Sequence, residues 1–227
     1  MANKINDKQI NSGMGEALFS DRERFEMWFA ENWKKTAAVS LIIAIAISAA
    51  FGITGYIADR KAAGAAELSA ATTVETLKAA IEKNAGNPAV AIAQLRMANM
   101  LFDEKKYDEA ISYLKKISAN TSADAVLVAT AKLNIAKALE LSGKTNEAIN
   151  AFATAAIAAN DNSAIKSEAV FGAARLLAKQ GKTADALAEI KKLNQLTQGV
   201  QNSMNPYAAD AAALEIAIES GEYGKIQ

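Results

Sequence analysis

Apolar and polar positions follow a helical period along most of the chain, and one stretch departs from it by being apolar on every side. Thr36 to Ala58, TAAVSLIIAIAISAAFGITGYIA, runs for 23 residues without a charged side chain. At about 1.5 Å of rise per residue it makes a helix of roughly 34 Å, against a hydrocarbon layer about 30 Å thick. A helix satisfies its own backbone donors and acceptors, which lipid requires. The pattern therefore predicts one membrane-spanning helix over 36–58. A buried core helix would need a second long apolar segment to pack against, and none occurs. A cleaved signal peptide would carry a shorter apolar run of about 7–15 residues behind a short basic start, whereas 35 residues precede this one.

The flanks refine the picture. Residues 1 to about 15 are polar and read as loosely ordered. In Asp21 to Lys35, Phe25, Trp28, Phe29 and Trp33 fall at i, i+3, i+4 and i+8, one helical face. Tryptophan favours the membrane–water boundary, so 1–35 reads as a cytoplasmic tail ending in a short amphipathic helix on the membrane surface. Arg22, Arg24, Lys34 and Lys35 precede the span closely, and Arg60, Lys61 and Lys78 follow it. That bias puts the N-terminus inside and everything after the span outside. Within the span, Ser40, Ala44, Ser48 and Gly52 recur every four residues. Such a stripe lets another membrane helix, from a partner or a second copy, approach closely; the alternative is that Ala and Ser are simply abundant here.

Beyond the span a linker helix is expected over 59–86, with Leu68, Val74, Leu77 and Ile81 as its apolar positions and Gly64 loosening it. Gly86, Asn87 and Pro88 supply a helix stop, a cap and a first helical residue. A repeat follows. KKYDEAI at Lys105, GKTNEAI at Gly143 and GKTADAL at Gly181 are each 38 residues apart. Small residues recur at Ala98, Ala136 and Ala174 and at Ala110, Ala148 and Ala186, with Leu101, Leu139 and Leu177 and with Leu114, Phe152 and Ile190 in the same step. This spacing predicts a helix, a tight turn and an antiparallel helix, stacked because no single pair can bury its apolar face. The repeats are expected at about 91–128, 129–166 and 167–204, then a polar loop from Gln198 to Asn205 and a half repeat at 207–227.

These residues resemble the tetratricopeptide repeat, most closely at Tyr107-Asp108-Glu109-Ala110-Ile111. The step is longer than that repeat's, Gln94, Lys132 and Val170 stand where its Trp would, and its closing Pro is missing. The extra length is assigned to extended helices or to loops at Ser118–Asp124 and Asn160–Ser163. The fold class expected is all-α, a single transmembrane helix followed by a tetratricopeptide-like α-solenoid over 87–227. The resemblance implies that the first helix of each pair lines a concave groove. Its candidate partner-binding residues are Leu95, Asn99, Phe102, Leu133, Lys137, Phe171, Arg175 and Glu215, with Glu140, Ala178 and Ile218 three positions beyond. The plain alternative is a solvated face.

Trp28-Phe29-Ala30-Glu31-Asn32 before the span, one anchor and a repeat domain together resemble the YfgM-type proteins, inner-membrane proteins of Gram-negative bacteria associated with the SecYEG translocon. That resemblance implies a periplasmic domain that meets emerging proteins, periplasmic chaperones or other envelope proteins. A self-associating scaffold for envelope assembly is the alternative.

Composition then removes other classes. With no Cys and no His, disulfides, thiolate metal sites, Cys nucleophiles and imidazole acid–base chemistry are excluded. Basic and acidic residues balance at 25 each, which leaves no basic surface for nucleic acid. GKT occurs at Gly143 and Gly181, but a phosphate loop needs G-x-x-x-x-G-K-[ST] after a strand. The sequence thus predicts no enzyme, cofactor or metal; inner-membrane lipid and protein are the partners, with homo-oligomers open.

Overall fold

A computed structural model describes residues 21–197, 206–221 and 223. The expectations for residues 1–15 and for the loop at 198–205 lie outside these. Nine helices and no strand are present among the described residues. The chain divides by its contacts into two units, Met1–Arg60 and Lys61–Gln227.

The first helix, α1 (Asp21–Ala70), is 50 residues long. The surface helix expected over Asp21–Lys35 is not a separate element. Between Trp33 and Thr36 there is neither Gly nor Pro to end it. The Asn32 amide donates to the Trp28 carbonyl at 3.0 Å, and the Thr36 hydroxyl to that of Asn32 at 3.0 Å. Both bonds follow the helix across the boundary. Phe25 packs against Trp28 and Phe29 with ring centroids 6.2 Å apart, and Lys34 lies over the Trp33 ring. The apolar stretch has a mean hydropathy of 2.3, none of it buried, and the helix is long and apolar enough to cross a membrane.

In the second unit the linker helix is broken. α1 ends at Ala70 and α2 (Val74–Lys83) begins after Thr73. The break is a reciprocal cap. The Thr76 amide donates to Thr73 Oγ1 at 3.2 Å, and the Thr73 amide to Thr76 Oγ1 at 3.0 Å. Gly64 does not loosen the chain. It is buried, and a Cβ there would stand 2.5 Å from Asn84 Oδ1 and 2.7 Å from Asn87 Nδ2. Asn87 donates to the Lys61 carbonyl at 2.7 Å, while Lys83 and Asn84 both reach Glu67. The last turns of α1 are thus packed into the stack.

Three hairpins follow: α3 (Val90–Asp103) with α4 (Tyr107–Ser118), α5 (Ala125–Leu141) with α6 (Thr145–Ala158), and α7 (Ser163–Lys179) with α8 (Thr183–Thr197); α9 (Ala208–Glu219) closes the series. Each hairpin turns the same way. Lys105, Gly143 and Gly181 take φ of 60°, 79° and 74°. The next amide then reaches back to Leu101, Leu139 or Leu177, at 2.8, 2.9 and 3.0 Å. This is the left-handed helix stop that normally selects glycine. The first helices of the second and third hairpins start differently, from side-chain caps. Asp124 accepts from Val126 and Leu127, and Asn162 from Ile165.

The six repeat alanines, Ala98, Ala136, Ala174, Ala110, Ala148 and Ala186, are all completely buried. Their small side chains let paired helix backbones approach. Leu114, Phe152 and Ile190 are buried at the matching place on the second helices. Part of the longer step lies in the first helices of repeats two and three, each 17 residues long. Gly172 makes room for Phe152 of the preceding hairpin, whose ring would lie 2.7 Å from an added Cβ.

Candidate functional site

The first helices α3, α5, α7 and α9 carry the positions singled out for partner binding. On α3, Ile92, Leu95, Arg96, Asn99 and Phe102 share one helical stripe, because they fall three or four residues apart. Asn99 is exposed, Leu95 and Phe102 are half-buried, and Ile92 is 67% exposed. Phe102 meets Tyr107 edge-on at 5.8 Å. The opposite stripe, with Ala93, Met97 and Leu101, faces the core.

On α5 and α7 the expected polar ladder closes on itself. Lys137 pairs with Glu168 of the next first helix. One terminal nitrogen of Arg175 reaches both carboxylate oxygens of Glu140, at 2.7 and 2.8 Å. The two ion pairs join α5 to α7, so Lys137 and Arg175 are not free cations awaiting a ligand. Leu133 is likewise not a groove residue. It is buried in the core with Ala148, Phe152 and Ala173.

At α9 the network continues. Phe171 stacks on Tyr207 at 5.5 Å. Burial and the hydrogen-bonded, negatively charged Glu168 hold the Tyr207 phenol above its ordinary pKa. The Tyr223 hydroxyl lies 3.4 Å from the Arg175 carbonyl. Glu215 is half-buried on α9, and Ala178 and Ile218 are buried. Ser40, Ala44, Ser48 and Gly52 are exposed on α1, and Gly52 has open space at its Cα.

Sequence reasoning missed three participants. Glu168 and Tyr207 lie 31 and 70 positions from Lys137, too far for any short motif. Arg96 was within reach, because it sits four residues after Ile92 on the same stripe. Its guanidinium donates to the carbonyls of Leu68, Ser69 and Ala71 at 2.8, 3.2 and 2.5 Å. It caps the end of α1, where a cation also offsets the negative end of the helix dipole. At the turns, Lys144 donates to Asp108 at 2.6 Å, which raises the Lys144 pKa. The GKT lysine at Gly143 is therefore part of a turn-to-turn contact. Among the described residues no three acidic side chains group as a metal site.

Stacked hairpins that all turn alike define a helical-repeat domain, in which α3 keeps an exposed stripe while the middles of α5 and α7 are covered. Over part of this stack the model of the tetratricopeptide-repeat family matches, at residues 89–156, covering the first hairpin and nearly all of the second. A domain of this family is present, and such domains bind protein partners. Comparison with curated proteins and with solved structures gave no match.

Proposed function

We propose that this chain is a membrane-anchored protein-interaction module. On this reading α1 crosses the inner membrane of a bacterial envelope once, with its N-terminus cytoplasmic. The repeat domain works at the periplasmic face, assisting translocation or contacts with periplasmic chaperones, and has no catalytic role. The observation that carries the reading is one uncharged 23-residue run followed by a matched tetratricopeptide domain. The layout's resemblance to the YfgM-type proteins supports the finer assignment. Site-specific photocrosslinking from Asn99 in cells tests it, with reporter fusions at Gln227 and near Ala2 for topology. Adducts with translocon, chaperone or other envelope proteins, and an external C-terminus, are expected. Adducts only with cytosolic proteins, or a cytoplasmic C-terminus, would overturn it.

The small-residue stripe on the exposed span favours a second reading, self-association through the membrane helix. Light scattering of the full chain in detergent separates the two. A strict monomer removes the scaffold and leaves the module intact.

A further inference from the structure

Independently of the interaction-module reading, we propose that the cleft between the second helices α6 and α8 binds a single-chain aliphatic carboxylate, its chain against the apolar walls and its head at Lys166. The cleft has a volume of about 600 Å³, within the range of roughly 300–1,000 Å³ that small-molecule sites occupy. Ala153 and Ile157 of α6 border it one turn apart, and so do Lys192 and Leu196 of α8. The buried Val170 of α7 completes the apolar lining. Ile157 is 83% exposed, more than any other large apolar side chain among the described residues. Covering it supplies the apolar part of the binding energy. The lining is particular to this pair of helices. One 38-residue step earlier, Lys115, Ser118 and Lys132 stand where Ala153, Ala156 and Val170 do here.

The charge at the cleft selects the head group. Lys166, Lys192 and Glu189 border it. Lys192 is held by Glu189, which makes that pair neutral. Lys166 is half-buried, and its ammonium donates to the uncharged carbonyl of Asn160 at 3.3 Å. It therefore keeps its full charge and has further N–H groups to give. No carboxylate pairs with Lys166 among the described residues. One net positive charge thus stands beside aliphatic walls. A carboxylate gains that charge, and an ammonium is repelled by it. An alkyl chain needs nothing from the walls, whereas a peptide would bring backbone donors and acceptors that aliphatic side chains cannot meet.

The test uses the full chain in zwitterionic lipid nanodiscs, dialysed to equilibrium against radiolabelled octanoate, octanol or octylammonium, with empty nanodiscs as control. Octanoate is expected to bind at least about tenfold tighter than the other two, the worth of one charge-assisted hydrogen bond. Lys166→Gln should bring octanoate down to the affinity of octanol, while Lys166→Arg should keep its Kd within about threefold of the parent. Ile157→Asn, at an exposed position, should weaken octanoate about tenfold, the loss of one aliphatic contact. Far-UV circular dichroism checks that each variant keeps the fold. Octanoate binding no better than octanol would overturn the inference, as would no binding above empty nanodiscs. An unchanged Kd in Lys166→Gln or in Ile157→Asn would also overturn it. A peptide ending in a leucine carboxylate that binds this cleft tighter than octanoate would overturn the assigned occupant.

Discussion

Arg175 of α7 holds Glu140 of α5 through both carboxylate oxygens, at 2.7 and 2.8 Å across two successive repeats. The pair is partly exposed, with 41% and 23% of the side-chain surfaces in solvent. Its contribution is therefore set near the upper end of what surface pairs give. A double-mutant cycle with Glu140→Gln and Arg175→Gln should return a coupling of about 0.5–1 kcal/mol, read from denaturant unfolding of the full chain in detergent. A coupling indistinguishable from zero would show that the contact is incidental to the stacking of α5 on α7.

The first hairpin turn carries a lysine where the next two carry glycine. Lys105 sits at φ 60°, a conformation that costs an L-residue roughly 1–2 kcal/mol. Lys105→Gly should stabilise the protein by about 1 kcal/mol, and Gly143→Ala should destabilise it by about as much. Midpoints of thermal unfolding for the two variants should move in opposite directions. Movement in the same direction would mean that the turns do not share one strain.

Gly172 is a steric requirement. An alanine there would place its Cβ 2.7 Å from the Phe152 ring. Gly172→Ala should cost about 1–3 kcal/mol by overpacking. Adding Phe152→Leu should recover part of that loss, so the two changes will not sum. Additive losses in the unfolding free energy would contradict the contact.

Tyr207 makes stability depend on alkaline pH. Its folded pKa is raised above that of an ordinary phenol, chiefly by burial and then by Glu168. The folded state therefore favours the protonated phenol. This contribution is fully present below the unfolded pKa and is lost as pH rises through the folded one. Unfolding midpoints should fall above about pH 10, and Tyr207→Phe should make that fall shallower. An identical slope in the variant would remove Tyr207 as its source.

The hairpins were legible because their signals are local and repeated. An alanine recurring at 98, 136 and 174 and again at 110, 148 and 186 marks where two helices come closest, and all six are buried. The turn leucines repeat in the same step and accept the turn's hydrogen bond. What escaped was of two kinds. The break after Ala70 has neither Gly nor Pro, and its cap uses Thr76 where Glu or Gln is usual. The ladder failed for a different reason. Periodicity places Lys137 and Arg175 on the open face, but whether a cation there is free depends on a carboxylate one repeat away. Helical spacing alone likewise could not place Leu133 in the core, because the closeness of α5 to its neighbours decides its burial.

The junction at Arg96 also bears on where this protein can be cut. Leu68 fills the core of the first repeat, and the carbonyls around it receive the guanidinium. A truncation starting at Thr73 would leave a hole beside Leu77 and strip Arg96 of its acceptors, whereas one starting at Lys61 keeps both. The residues that finish α1 are, in folding terms, the opening residues of the repeat domain.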